Sequence, residues 1–355
     1  MSGTAPLRLE LRRGPLEAAA LEAIARTYGT VDPRYANAAF ADTIFNRNPY
    51  GFSWHALAWE GERVVGHYAV IPMRARGGGA SFLSGKGEAL FLEESCRART
   101  ARVGDLEAPA GIALMNALHA HALADGAAVL HNITSAEIGM IQRMDGFRVA
   151  RSRRPQAHFL VAPGALRQLN ERPAQAALAR ALAAVQRGAL AAARARVAAG
   201  GPRAIACGSG DDAAALATFS RTPPPAEGWS IDRDGATLRW LRAMDRLAVV
   251  RLAERPDAFV IANTGRAREL LHASLPPDAP RAALALLTRL VADAVRGRAW
   301  TFSVPAEGDA GRALGAAARV LCFRARTLEQ LVYVKAAPGF PLRPEALAYD
   351  RLFNL

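Results

Sequence analysis

Residues 54–95 read WHALAWEGERVVGHYAVIPMRARGGGASFLSGKGEALFLEES. Apolar and β-branched residues fill 54–60 and 63–74, and the intervening EGER turns on Gly61, so the pair reads as a β-hairpin. GGG at 77–79 is a second turn, and 80–93 is a third strand in which Gly85 and Gly87 mark a bulge. A polar, irregular connection is expected over 94–110. GIALMNALHAHALADG (111–126) then carries Ile112, Met115, Leu118, Ala122 and Leu123 on one face of a helix over 111–125. Val129-Leu130 is a short buried strand, 136–144 a short helix, and 147–150 and 156–162 are expected to pair as closing strands. An antiparallel meander that feeds a strand–helix–strand crossover specifies a mixed α+β sheet.

Upstream, residues 5–13 alternate apolar and charged, as a strand does. A helix follows, with Pro15 in its first turn and Gly29 just past its end. Asp32 and Pro33 are expected to start another helix that runs to Phe45, and Asn48-Pro49-Tyr50-Gly51 is a dense turn cluster. Downstream, 165–199 is an alanine-rich basic helix that Pro173 is expected to split. Its Arg180, Arg187 and Arg194 recur at seven residues, either as a solvated face or as a phosphate-binding stripe. The remainder restates the first half. Strands at 247–253, 257–263 and 268–274 precede a helix (PRAALALLTRLVADAVRGRA), a strand (WTFSVP), a short helix and a closing strand (RTLEQLVYVKA). A repeat sets the architecture. The expected division is 1–164, a helical linker at 165–203, and 204–355.

The chain has 355 residues and is 51% hydrophobic, enough for two cored domains and against wholesale disorder. Its net charge of +13 invites a polyanion partner, but lysine occurs only at Lys86 and Lys335, so 43 of the 45 basic residues are arginine. Such an arginine and alanine bias fits compositional drift better than a dedicated nucleic-acid surface. Cys96, Cys207 and Cys322 form no ligand spacing, which argues against a disulfide framework and a structural zinc, and for a reducing, cytoplasmic setting. The N-terminus has no apolar leader segment, and no apolar run is as long as a membrane span.

The order of elements in 40–150, with the NPYG approach segment, the VVGHYAVIP and GEALFLEES strands and the MDGF ending, resembles the GNAT family of acyl-CoA N-acyltransferases. IDRDGATLRWLR in the second half resembles a segment of tandem members. The resemblance implies two GNAT-like halves, each a mixed, mostly antiparallel sheet flanked by helices. It implies an enzyme that transfers an acyl group from acyl-CoA, acetyl-CoA foremost, to a primary amine on a sugar or small metabolite, without a metal. The implied cofactor contacts are the backbone of Leu90, Phe91 and Leu92 and the helix start at Ala110, Gly111 and Ile112, where Gly111 alone remains of the family's glycine-rich turn. Asn132 and Ser135 either bond the cofactor arm or cap the next helix. Glu88 matches the family's catalytic base, against a solvent-facing strand end. The family's leaving-group tyrosine has no counterpart in IGMIQRM. Asn48, Tyr50 and Trp54 fall where the family forms its acceptor pocket, with Arg233, Asp234 and Arg242 as their counterparts in the second half. Two other readings stay open: aminoacyl transfer from tRNA, which the charge favours, and a non-catalytic binding scaffold, which the degraded turn favours.

Overall fold

The computed structural model describes residues 5–103, 106–133, 136–150, 156–161, 173–208, 211–221, 228–265, 267–276, 279–297, 299, 301–305, 308–324 and 332–347. Its backbone forms two compact units. The first holds Met1–Ser152, Pro223–Asp232 and Gln330–Tyr349, and the second holds the rest.

The first unit opens with β1 (Leu7–Gly14), α1 (Ala18–Thr27) and α2 (Ala38–Phe45). Three long strands follow, β2 (Ser53–Glu60), β3 (Arg63–Gly77) and β4 (Ala80–Leu92), each antiparallel to the last. A hairpin, β5 (Thr100–Val103) and β6 (Leu106–Pro109), leads into α3 (Ala110–Ala124), and then come β7 (Val129–Ile133), α4 (Ala136–Met144) and β8 (Arg148–Ala150). Two later strands complete the sheet: β11 (Trp229–Ile231), paired to the far end of β3, and β17 (Val332–Ala336). The strand order is β6-β5-β1-β2-β3-β4-β7-β17-β8, with parallel pairs only at β1–β5 and β4–β7.

One face packs on α3 through Trp54, Ala56, Tyr68, Val70, Leu114 and Leu118. Each such Leu or Val taken from water contributes roughly 1.5–3 kcal/mol. The N-terminal segment lies by β3 and β4. There Tyr35 and Phe45 are fully buried and stack edge-on against Phe40 and His55.

The second unit opens with β9 (Gln156–Leu160), α5 (Pro173–Ala198), β10 (Ala204–Ala206), α6 (Ala213–Ser220) and α7 (Gly235–Ala243). It continues with β12 (Leu247–Leu252), β13 (Phe259–Asn263), β14 (Ala267–Ser274), α8 (Ala279–Arg296), β15 (Thr301–Pro305), α9 (Gly308–Leu321) and β16 (Phe323–Arg324). Its order is β10-β12-β13-β14-β15-β9-β16, with β14–β15 parallel. Its order repeats the β1-β2-β3-β4-β7-β17-β8 part of the first sheet, with meander, crossover helix, parallel strand, inserted strand and last strand, while β5, β6 and β11 have no counterpart in it. The third long strand carries a register shift in both units, between His67 and Ala69 on β3 and between Ile261 and Ala262 on β13. The fold is thus α+β with two like sheets flanked by helices, as the sequence led us to expect.

Several local expectations differ. Strands 147–150 and 156–162 do not pair with each other. β8 pairs with β17, and β9 pairs with β15 and β16. The first half therefore gives β9 to the second sheet, the second half gives β11 and β17 to the first, and α5 packs Leu190 and Ala193 into the second unit's core instead of standing as a separate linker. Short apolar strands carry no mark of their partner, so such a choice is set by sheet closure. The connection 94–110 is not wholly irregular, because it contains the β5–β6 hairpin. The described part of the basic helix, α5, begins at Pro173, and residues 162–172, on the other side of the expected split, lie outside the described residues. α2 begins at Ala38 under an Asn37 cap, while Asp32 accepts from Arg34. Gly29 does stand just past the end of α1, as expected, but its backbone is not left-handed. A Cβ there would meet the Ala36 backbone at 2.7 Å, so glycine permits a close chain approach.

Candidate active site

The β3–β4 ladder runs without interruption from Gly77↔Ala80 to Ala69↔Glu88 and resumes at His67↔Phe91. Tyr68 thus faces a bulge in β4 at Ala89, which holds φ 52°, an uncommon value for a residue with a Cβ. On its other edge β4 pairs with β7 only at Ser84, Gly85 and Lys86, opposite Val129, Leu130 and His131. Beyond Lys86 the two strands diverge. β7 continues as a partner of β17. Phe91 and Leu92 keep β3 as their ladder partner, Leu90 lies in the bulge beside Ala89, and none of the three pairs with β7 among the described residues. The first unit therefore has a split between two parallel strands, with Gly87 and Asn132 at its apex.

A chain of polar side chains ends at that apex on the α3 face. Asn132 Nδ2 donates to the Tyr68 hydroxyl at 2.8 Å, and that oxygen lies 3.0 Å from His119 Nε2. His119 Nδ1 lies 2.9 Å from Asp145 Oδ2, and Asp145 Oδ1 pairs with Lys335 Nζ at 2.9 Å. Tyr68 and His119 are buried to 2% and 1% exposure. A carboxylate only accepts, so His119 Nδ1 carries hydrogen; burial lowers the imidazole's pKa against the pull of Asp145, so Nε2 is an acceptor and Tyr68 is its donor. Burial raises the Tyr68 pKa, which keeps the phenol protonated. At Asp145 burial acts upward, but the hydrogen bonds from His119 and Lys335 outweigh it and the net shift is downward. Gly87 makes room for this arrangement. A Cβ there would stand 2.2 Å from the Tyr68 hydroxyl and 2.6 Å from Asn132 Nδ2.

Glu88 lies on the opposite face and does not face solvent. Its carboxylate accepts from Tyr35 at 3.1 Å and forms a buried ion pair with Lys86. Burial, and then the Glu88 charge, raise the pKa of Tyr35 and of Tyr28. His55 Nδ1 and His67 Nε2 stand 3.1 Å apart beneath Phe45, both fully buried. Burial pushes the His67 pKa down to about 3 and that of His55 well below its ordinary value, so the pair is neutral.

At the α3 start, Ala110 is buried and its N–H goes to the Arg99 carbonyl at 3.0 Å. Gly111 has open space where a Cβ would be, and Ile112 is half-buried. Ser135 lies outside the described residues. In the approach loop, Asn48 is 4% exposed and spends its amide on the chain itself. It donates to Phe45 O, Phe52 O and Ser53 Oγ and accepts from Tyr50 N, so it clamps the turn. Tyr50 is half-buried. Trp54 is fully buried on the α3 face, with Nε1 donating to Asp125 at 2.7 Å. Asn48 and Trp54 thus spend their polar groups on the chain itself.

In the second unit Asp234 caps α7 by accepting from Thr237 N at 2.8 Å. Arg242 ties Asp212 (2.6 Å) to the Leu247 and Cys207 carbonyls, and Arg233 stacks on Phe219 at 4.5 Å. All three are structural ties. Tyr68, His119, Asp145 and Lys335 were not singled out from the sequence. A signal was present: the chain's only two lysines, Lys86 and Lys335, each pair with a carboxylate in this unit.

Among the described residues no three His, Cys, Asp or Glu side chains are grouped to hold a metal, and no helix is long and apolar enough to cross a membrane. No protein-family model and no curated protein matches the sequence. Solved structures similar over most of the chain include a tandem GNAT protein from the clavulanic acid biosynthesis pathway (11% identity, 93% of this chain and 99% of that one, TM-score 0.49). Two others are GCN5-related N-acetyltransferases. One is from Kribbella flavida (12%, 92% and 71%, TM-score 0.47), and one from Anabaena variabilis (11%, 92% and 73%, TM-score 0.48).

Proposed function

We propose that the first unit transfers an acyl group from acyl-CoA, acetyl-CoA foremost, to a primary amine of a sugar or small metabolite. The observation that carries this reading is the split between β4 and β7. A bulge at Ala89 turns β4 away from its parallel neighbour just where Lys86↔His131 ends their pairing. An extended pantetheine arm adds to such an edge as a strand would, by main-chain hydrogen bonds. Leu90, Phe91 and Leu92 would supply that edge. The start of α3, at Gly111 and Ile112, would meet the pyrophosphate, since a helix N-terminus presents N–H groups to anions. The fit there is partial, because the Ala110 N–H is already given to Arg99. Asn132, at the apex, is the side chain best placed to meet the arm.

The donor supplies an activated thioester. The chain must position it, exclude water, and move one proton from the attacking nitrogen to the leaving sulfur. Glu88 lines the α1–α2 side of β4, but both its oxygens are engaged, so taking a proton there means breaking the Lys86 ion pair. We place Glu88 as a charged wall of the acceptor side.

The test is thermal unfolding with acetyl-CoA, because a ligand bound only by the native state stabilises by about 2.7 kcal/mol at a hundred times its Kd. A rise in Tm that saturates supports the reading. No shift at millimolar acetyl-CoA, with tRNA binding that weakens steeply with salt, would replace it with aminoacyl transfer. No response to either would leave a binding scaffold.

A further inference from the structure

We propose that Tyr68, His119 and Asp145 form a two-way proton relay that takes the acceptor's proton at the apex of the β4–β7 split and returns it to the leaving sulfur. The inference rests on the acyl-transfer reading and assigns the proton step that reading leaves open. Three observations support it.

The first is position. A Cβ on Gly87, the first β4 residue past the β7 pairing, would lie 2.2 Å from the Tyr68 oxygen. Asn132, the first β7 residue past it, bonds that same oxygen at 2.8 Å. The hydroxyl therefore stands at the point where the two strands part. The second is direction. Asp145 accepts from His119, His119 accepts from Tyr68, and Asn132 donates to Tyr68. Such an order leaves a lone pair on the phenol oxygen and a proton path away from it. The third is that the fold does not require the relay. The second unit builds the same sheet and crossover helix around a core in which α8 presents Leu286, Leu287, Leu290 and Val291. A buried polar chain is costly unless every group is satisfied, so one that stands where apolar side chains would serve calls for a role.

The step balances as follows. The amine nitrogen forms the bond to the thioester carbonyl carbon. Its proton passes to the Tyr68 oxygen while the Tyr68 proton passes to His119 Nε2, and the imidazolium is held by Asp145. The carbon–sulfur bond then breaks. Tyr68 gives its proton to the thiolate and recovers one from His119. Amine and thioester become amide and thiol, and the relay ends as it began. Tyr68 is the catalytic residue, and His119 and Asp145 are positioning residues. The charged and titratable groups that face His119 are Asp145 from the turn after α4, Tyr68 from β3 and, behind Asp145, Lys335 from β17.

The test uses the full chain with acetyl-CoA and a panel of aminosugars and diamines, following thiol release, with acetyl-CoA affinity measured separately by calorimetry. Tyr68→Phe is expected to keep its Kd for acetyl-CoA within about threefold and to lose 100-fold or more in kcat, in the range of general acid–base contributions. His119→Gln and Asp145→Asn should lose kcat as well. The relay predicts that wild-type kcat/KM falls toward acid pH at a value below the ordinary histidine pKa of about 6.5, because burial lowers that of His119, and His119→Gln should abolish that fall. A structural role would instead lower stability without touching the pH profile. Tyr68→Phe with kcat within threefold of wild type overturns the relay alone. A wild type that binds no acetyl-CoA overturns the acyl-transfer reading, and the relay with it.

Discussion

Replacing Gly87 with alanine perturbs one spot whose geometry is known on every side. The added Cβ would meet the Tyr68 hydroxyl at 2.2 Å, Asn132 Nδ2 at 2.6 Å and Asn132 Cγ at 2.8 Å. The Tyr68 ring cannot withdraw, since it is fully packed against α3 and its oxygen is bonded to His119. Overpacking of this kind costs about 1–3 kcal/mol. Displacing Asn132 also breaks its hydrogen bond to Tyr68, at about 0.5–1.5 kcal/mol. Exchanging glycine for alanine in a strand returns about 0.5–1 kcal/mol. The net expectation is a loss of about 2 kcal/mol, from central values of these ranges. Gly111→Ala is the control, because its Cβ enters open space in the first turn of α3, and it should be neutral or gain up to about 1 kcal/mol. Urea unfolding of both variants at pH 7 and 25 °C measures this. A Gly87→Ala chain within 0.5 kcal/mol of wild type would refute the packing at the apex, and with it the position given to the Tyr68 hydroxyl.

Glu88→Leu should destabilise by about 3–5 kcal/mol by leaving Lys86 buried without its partner, and the double variant Lys86→Met with Glu88→Leu should recover most of that loss in the same urea titration. Stability should fall as pH drops below 6.5. His67 and His131 both have folded pKa values pushed down to about 3 by burial, so the unfolded chain binds protons first and each contributes about 1.4 kcal/mol per pH unit down to that value. Comparing urea midpoints at pH 7 and pH 5 for wild type and His131→Leu should show the smaller pH dependence in the variant. Cys322 is buried, with its thiol pushed up to about 12, so iodoacetamide at pH 8 should label it only as fast as the second unit opens, read by mass spectrometry across a urea series.

Much of the scaffold was legible because its long elements carry a strong period. β2, β3 and β4 have paired turns at Gly61 and Gly78-Gly79, and α3 buries Met115, Leu118 and Ala122 of the expected face, though it also buries Leu114 and leaves Ile112 and Leu123 half-buried. The glycines of GKG did mark the bulge region, though the shifted residue proved to be Ala89. What could not be read was any pairing decided at long range. β17 lies over 180 residues beyond β8, and nothing in VYVKA names its neighbours. The relay was hidden for the same reason. His119 sits on the apolar face of α3, where a histidine looks like packing, and its partners come from a distant strand and from the turn after α4. Asn48 and Trp54 have the chemistry of a binding site, but each satisfies groups of the chain itself.

The central claim is that the split between β4 and β7 receives the acyl donor, and a crystal structure with a non-hydrolysable acetyl-CoA analogue tests it most directly. The account predicts the pantetheine arm paired with the backbone of Leu90–Leu92, with the thioester carbon within hydrogen-bonding reach of Tyr68 and Asn132. An arm bound elsewhere on the chain, or β4 and β7 closed against each other with the analogue excluded at saturating concentration, would contradict it.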